Sequence, residues 1–265
     1  MLIFLHIPKT GGTSITNLLQ PVLSPSINVE GPESLRKFLD LSDAELRAMR
    51  FAYGHMPYGL HELTRADCKY FVFLREPVDR VLSNYYYIKR ARAHPMFPKL
   101  RDGMTILDFM RDPSFDDNRQ TRQLARYPLT DALTSAHYWW TAIPTGLTER
   151  EHLRQAQETL GMCEFVGFFE KLKPDIATLL HRLNLPKRLA LPRSQETIGR
   201  RSVDALDRRV VEEVRERNVL DIELYEHARA LYWNKEKASF SYRFGESVKR
   251  LLADALNASH PERRE

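Results

Sequence analysis

Two adjacent glycines, Gly11 and Gly12, separate an apolar run, Leu2 to Ile7, from a segment with helical apolar spacing at Ile15, Leu18 and Leu19. A glycine pair removes the Cβ atoms that would keep backbone N–H groups from converging on one point. The order strand, glycine turn, helix therefore predicts a unit whose helix N-terminus turns its first N–H groups and positive dipole end toward an anion. Lys9 adds a mobile cation, and Thr10, Thr13 and Ser14 add hydroxyl donors. Together, Lys9, Thr10, Gly11, Gly12, Thr13 and Ser14 make a cradle for a phosphate. It is not the GxxxxGK[ST] loop of nucleoside triphosphatases, because Lys9 precedes the glycines instead of following them. An ordinary turn with a solvated lysine is the alternative, and the passage through Thr13 and Ser14 into an apolar helix weighs against it.

The rest of the chain supplies partners for that first strand. Lys69 to Leu74 (KYFVFL) is nearly all apolar or aromatic, as a strand buried on both faces of a parallel sheet must be. Cys163 to Phe168 (CEFVGF) reads the same way, and Phe51-Ala52-Tyr53-Gly54 reads as a short strand end. Ser42 with Glu45, and Thr148 with Glu151, are capping boxes that open helices, Asp43 to Met49 and one that Gly161 can close. Pro77 suits the first position of a helix running to about Arg92. A further helix is expected from about Lys171 to Leu183, and Leu220, Leu224, Ala228 and Leu231 fall on one stripe of another. Strands alternating with helices predict an α/β fold, three-layer, with a mostly parallel central sheet and a phosphate-binding turn after the first strand. Residues 1–258 read as a single domain and residues 259–265 as a flexible tail.

Composition narrows the class of partner. Forty Lys and Arg against 35 Asp and Glu leave a net charge of +5, which suits small anions or acidic glycans and does not call for nucleic acid. No apolar run approaches the ~18 residues needed to span a bilayer. Leu2 to Leu5 is too short for the core of a secretory signal. Cys68 and Cys163 read as isolated free thiols near apolar stretches, consistent with a reducing compartment, and the expected location is cytoplasmic. The nine histidines are scattered without metal-ligand spacing, so no metal is expected. Lys89, Arg90, Arg92, His94, Lys99 and Arg101 read as a solvated face, with guidance of an acidic glycan as the alternative. Trp139 and Trp140, beside Tyr138, read as core residues before sugar-stacking ones.

A second anion site lies in FVFLREPVDRVLSNYYY, Phe71 to Tyr87. Arg75 ends a buried strand, at the edge where open α/β sheets bind ligands. Ser83 follows ~9 Å along the helix that Pro77 starts, at ~1.5 Å per residue, so both side chains can flank one anion. Arginine suits phosphate because its planar fork donates two hydrogen bonds at once. Pairing of Arg75 with Glu76 or Asp79 is the competing reading. Taken with HIPKTGGTS, this segment resembles the sulfotransferases that use 3′-phosphoadenosine-5′-phosphosulfate (PAPS). The closer likeness is to the carbohydrate branch containing the heparan and dermatan uronosyl 2-O-sulfotransferases. The resemblance extends to Gly54-His55, Asn118-Arg119-Gln120-Thr121-Arg122, Phe165-Val166-Gly167 and the helix Asn218 to Ala228, so it covers most of Leu2 to Leu231.

The resemblance implies transfer of a sulfuryl group from PAPS to a hydroxyl, on a carbohydrate or glycoconjugate, with adenosine 3′,5′-bisphosphate as product and no metal required. It assigns the 5′-phosphosulfate to Lys9 through Ser14 and the 3′-phosphate to Arg75 and Ser83, with Arg193 in a loop over that phosphate. Lys9 also stabilises charge on the leaving phosphate. His55 matches the base of the uronosyl branch, and an imidazole pKa near ~6.5 suits that work. His61 is a second candidate, and carboxylates serve in other branches, which keeps Glu62 and Asp67 open. Asn118, Gln120 and Arg122 are candidate acceptor-site residues, with an exposed helix face as the equal alternative. Eukaryotic Golgi members carry a membrane anchor and luminal disulfides that this chain lacks. The likeness therefore points to a bacterial, cytosolic relative or a trimmed chain, and the eukaryotic substrates do not carry over. Two rivals remain: a non-catalytic nucleotide- or glycan-binding relative, and an atypical nucleotide-dependent kinase. The kinase would need a magnesium-binding acid where Arg75 stands.

Overall fold

A computed structural model describes residues 1–56, 58–64, 67–112, 115, 117–126, 147–186 and 202–233. Among the described residues five strands, β1 (Leu2–Leu5), β2 (Ser26–Asn28), β3 (Phe51–Gly54), β4 (Lys69–Leu74) and β5 (Phe165–Phe168), form one sheet in the order β2-β3-β1-β4-β5. Every pairing in it is parallel. Among the described residues the helices are α1 (Gly12–Leu19), α2 (Pro32–Leu39), α3 (Asp43–Ala48), α4 (Pro77–Ile88), α5 (Phe97–Arg101), α6 (Ile106–Arg111), α7 (Arg119–Leu124), α8 (Glu149–Met162), α9 (Leu172–Arg182), α10 (Arg208–Arg217) and α11 (Val219–Ala228).

Strand side chains alternate between two apolar layers, as a sheet covered on both faces requires. Phe4, Phe51, Phe71, Phe73 and Phe165 pack with Ile15 and Leu18 of α1 and Ile176 and Leu179 of α9. Ile3, Leu5, Ala52, Val72 and Val166 pack with Leu35 of α2, Leu153 and Leu160 of α8, and Leu220 and Leu224 of α11. This is the expected three-layer α/β arrangement. A satellite core joins Val78, Val81 and Leu82 of α4 to Phe109 of α6 and Val210 and Val214 of α10.

Element ends depart from the sequence reading in informative ways. The capping boxes at Ser42 and Thr148 form as expected. Gly161 does not close α8, which runs through it to Met162, where a Cβ would meet nothing. Helix α4 stops at Ile88, short of Arg92. Leu220, Leu224 and Ala228 are buried, but Leu231 is 39% exposed. The chain widens into a π-helical turn over Arg229–Trp233, which rotates Leu231 off the stripe. Cys163 is buried and Cys68 half-buried, both as free thiols. No described helix is long and apolar enough to cross a membrane.

The topology fixes where a ligand can sit. From β1 the chain travels to β2 and β3 on one side, and from β4 it travels to β5 on the other. The crevice outside the carboxyl ends of β1 and β4 is thus the switch point of the sheet, the usual ligand position in open α/β folds.

Candidate active site

All five strands deliver a candidate side chain at their carboxyl ends. In sheet order these are Glu30 after β2, His55 after β3, the Lys9–Gly12 turn after β1, Arg75 after β4 and Phe169 after β5.

The turn has the form that the glycines predict. Gly11, at φ 87, caps α1, and the first intrahelical bond is Ser14 N–H to Gly11 O at 3.1 Å. The amides of Gly12 and Thr13 precede that bond at the open end of the helix. Gly12 lies against the His6 ring, and a Cβ there would approach His6 Cδ2 to 1.9 Å. Lys9 adopts φ 72, unusual for a residue with a side chain, and its Nζ lies 4.1 Å from the centre of the Tyr87 ring. The Thr10 hydroxyl turns inward and donates to Ile7 O at 2.9 Å, so it shapes the turn. Ser14 is buried in α1, whereas Thr13 is exposed.

Arg75 bolts this turn to the next strand. Its Nη1 donates to Lys9 O at 2.8 Å, while Nε and Nη2 both reach Asp79 Oδ2, at 2.7 and 2.6 Å. The guanidinium lies 3.8 Å from the centre of the Phe169 ring and is 4% exposed. Burial lowers its pKa to about 10, against the pull of Glu170, so it stays charged at neutral pH. A guanidinium has five N–H donors, and among the described residues three of them are used by Lys9 O and Asp79. Ser83 is buried in α4, on the helix that Arg75 leads into.

His55 is held by geometry that assigns its tautomer. Nδ1 lies 2.6 Å from His6 O, and a carbonyl only accepts, so Nδ1 carries the proton and Nε2 keeps its lone pair. Nε2 lies 3.6 Å from Glu30 Oε1. Burial, helped by Arg119, holds the His55 pKa below the usual imidazole value, although the bond to His6 and the charge of Glu30 pull the other way. His6, ring to ring at 4.4 Å with His55, is held well below by burial, by His55 and by Lys9. Both rings are therefore neutral near pH 7.

The other base candidates lie toward the opposite edge of the sheet. The His61 N–H donates to the Tyr70 hydroxyl at 2.9 Å, and that hydroxyl meets His61 Nδ1 at 2.8 Å. Tyr70 stands near the start of β4, ~13 Å from its carboxyl end at ~3.3 Å per residue. Glu62 shares the 3₁₀ turn with His61, and Asp67 O accepts from the Met1 amino group at 2.6 Å, before β1 begins.

Asn118 and Gln120 lie beneath the site and do not line its surface. Asn118, 3% exposed, accepts through Oδ1 from Leu220 N and Asp221 N, and its Nδ2 donates to Arg217 O. Gln120, 1% exposed, exchanges two bonds with the Arg75 backbone, at 3.0 and 2.9 Å. Asp221 accepts from Gln120 N and Thr121 N, capping α7, and faces the buried Arg80 at 3.8 Å. Arg122 is half-buried and pairs with Asp117 at 2.9 Å. Arg193, Tyr138, Trp139, Trp140 and the tail lie outside the described residues. Lys99 and Arg101 of the basic stretch pair with Asp112 and Asp102. Among the described residues no group of three or more His, Cys, Asp and Glu could hold a metal ion.

Sequence reading did not single out Gln123, Phe169 or Glu30. Each acts through contacts with segments far away in the chain, which local spacing does not reveal.

The model of the family described as "Sulfotransferase family" matches residues 1–232. No curated protein matches the chain.

Proposed function

Because this chain belongs to the sulfotransferase family, we propose that it moves a sulfuryl group from PAPS to a hydroxyl of a carbohydrate or glycoconjugate. One observation carries the choice of donor. The Arg75 fork and the glycine turn stand at adjacent strand ends and touch, Nη1 to Lys9 O at 2.8 Å. A nucleotide with phosphates at both its 3′ and 5′ positions needs two anion sites side by side, and this switch point offers a pair. The fit also rests on Gly12: with no Cβ there, the turn can pack directly on the His6 ring, which sets where the first amides of α1 stand. When bound, PAPS supplies a sulfuryl group carried on a phosphate leaving group.

The chain's own residues do the rest. Amides of the turn hold the 5′ end, and Lys9, whose Nζ lies over the Tyr87 ring, supplies the positive charge that meets the developing charge on the leaving phosphate oxygen. Arg75 and Ser83 hold the 3′-phosphate. His55 Nε2 takes the proton of the acceptor hydroxyl, because Nδ1 is already committed to His6 O. The net charge of +5 favours an acidic glycan among carbohydrate acceptors.

Calorimetric titration without magnesium tests this reading. Adenosine 3′,5′-bisphosphate should bind well and AMP much more weakly. Arg75→Ala should weaken the bisphosphate at least ~10-fold, since a charge-assisted hydrogen bond contributes ~1.5–3 kcal/mol. Equal affinity for the two nucleotides, or normal binding by Arg75→Ala, overturns the assignment.

A further inference from the structure

We propose that Gln123 is a positioning residue for the transfer step, holding His55 in the tautomer and orientation from which Nε2 meets the acceptor hydroxyl. The inference rests on the reading of His55 as the base. Gln123 lies near the end of α7 and is fully buried. Its Nε2 donates to His6 O and to Met56 O, both at 3.1 Å. These two carbonyls bracket His55. His6 O is the acceptor of the His55 Nδ1 proton, and Met56 is the next residue along the chain. One amide thus staples the end of β1 to the loop after β3 with the imidazole between them.

The chemistry restricts what can stand here. Both partners are carbonyls, so the amide must present its NH₂ group to them and turn Oε1 away. Oε1 is buried with no hydrogen-bond partner among the described residues. An unsatisfied buried acceptor is costly, so packing alone would favour methionine or leucine at this position. What the amide contributes is its pair of donors. A glutamate would set a carboxylate against two carbonyls, and an asparagine is too short to span both.

The two donors on His6 O also set the protonation of His55. The Gln123 N–H directs its positive end at the same oxygen that supports Nδ1–H, which weakens the hold of that oxygen on an imidazolium. The other groups facing the ring are Glu30, Arg119 and His6, with Lys9 acting on His6. Removing the amide leaves all of these in place. It should therefore raise the His55 pKa while freeing the ring to turn.

Gln123→Met conserves volume and removes both donors. In the folded variant, an NMR titration of His55, assigned with His55→Ala, should move up by several tenths of a pH unit. The acid limb of the rate profile should follow it, and turnover should fall ~10-fold or more. Affinity for adenosine 3′,5′-bisphosphate should stay nearly unchanged. Added to His55→Ala, the change should lower turnover little further. An unmoved His55 titration in folded Gln123→Met overturns the inference. If that variant does not fold, Gln123→Asn should give the same shift on a smaller scale, and no shift there overturns it equally. Full turnover by His55→Ala contradicts the reading of the base instead, and the titration separates the two failures.

Discussion

His55→Ala is expected to lower turnover by at least ~100-fold and to leave affinity for adenosine 3′,5′-bisphosphate nearly unchanged. A general base contributes ~10²–10⁴ in rate and little to holding the nucleotide. One carbonyl decides which nitrogen is basic: His6 O fixes the Nδ1 proton and so leaves Nε2 as the basic atom. The sign of the pH dependence follows. The base works unprotonated, and burial holds its pKa below the usual ~6.5. Activity should climb as pH rises through that lowered value and be level by neutrality. Folding follows the same sign. The folded state binds fewer protons on His55 than the unfolded chain does below about 6.5, so this contribution is present above that pH and lost as pH falls. A variant that keeps most of its turnover, or a profile still rising well past pH ~7, would remove His55 from the mechanism.

Gly12→Ala is expected to damage stability and binding together. Its Cβ would stand 1.9 Å from His6 Cδ2 and 2.0 Å from Nε2. The His6 ring has little room to yield, because it stacks on Phe4 at 5.4 Å and lies 4.4 Å from His55. Phe4 in turn stacks on Phe71 at 4.6 Å in the core of the sheet. Overpacking of this kind costs ~1–3 kcal/mol, a fall of several degrees in melting temperature for a chain of this size. Opening the turn also moves the first amides of α1, so the bisphosphate should bind at least ~10-fold more weakly. Thermal melts and calorimetry on the same preparation check both. Normal binding by a stable Gly12→Ala would place the phosphate elsewhere.

Strands β1, β4 and β5 were legible because an apolar run with no polar interruption fits a parallel strand covered on both faces. The glycine turn after β1 was legible because glycine reports backbone freedom locally. Helix ends were less so: α8 runs through Gly161 to Met162 and ends at Cys163, whose backbone is extended toward β5. Leu231 obeys the period of an α-helix, and a π-turn defeats that period. In the site, the pairing of Arg75 with Asp79 is the reading that the geometry bears out: its fork grips Asp79 and the Lys9 carbonyl together. Asn118 and Gln120 are polar enough to suggest a surface, yet their partners, Asp221, Arg217 and the Arg75 backbone, become neighbours only when the chain is folded. Gln123 was invisible for the same reason: its two acceptors, His6 and Met56, are far from it in sequence.

Sulfuryl transfer can be observed outright. The protein is incubated with PAPS and a panel of acidic saccharides in the presence of a chelator. Adenosine 3′,5′-bisphosphate is followed by chromatography and sulfated saccharide by mass spectrometry. The two products should appear in equal amounts, and His55→Ala should suppress both while still binding the bisphosphate. Tight bisphosphate binding with no release of product from PAPS on any acceptor, or phosphorylation of a saccharide from ATP with magnesium, would contradict the account.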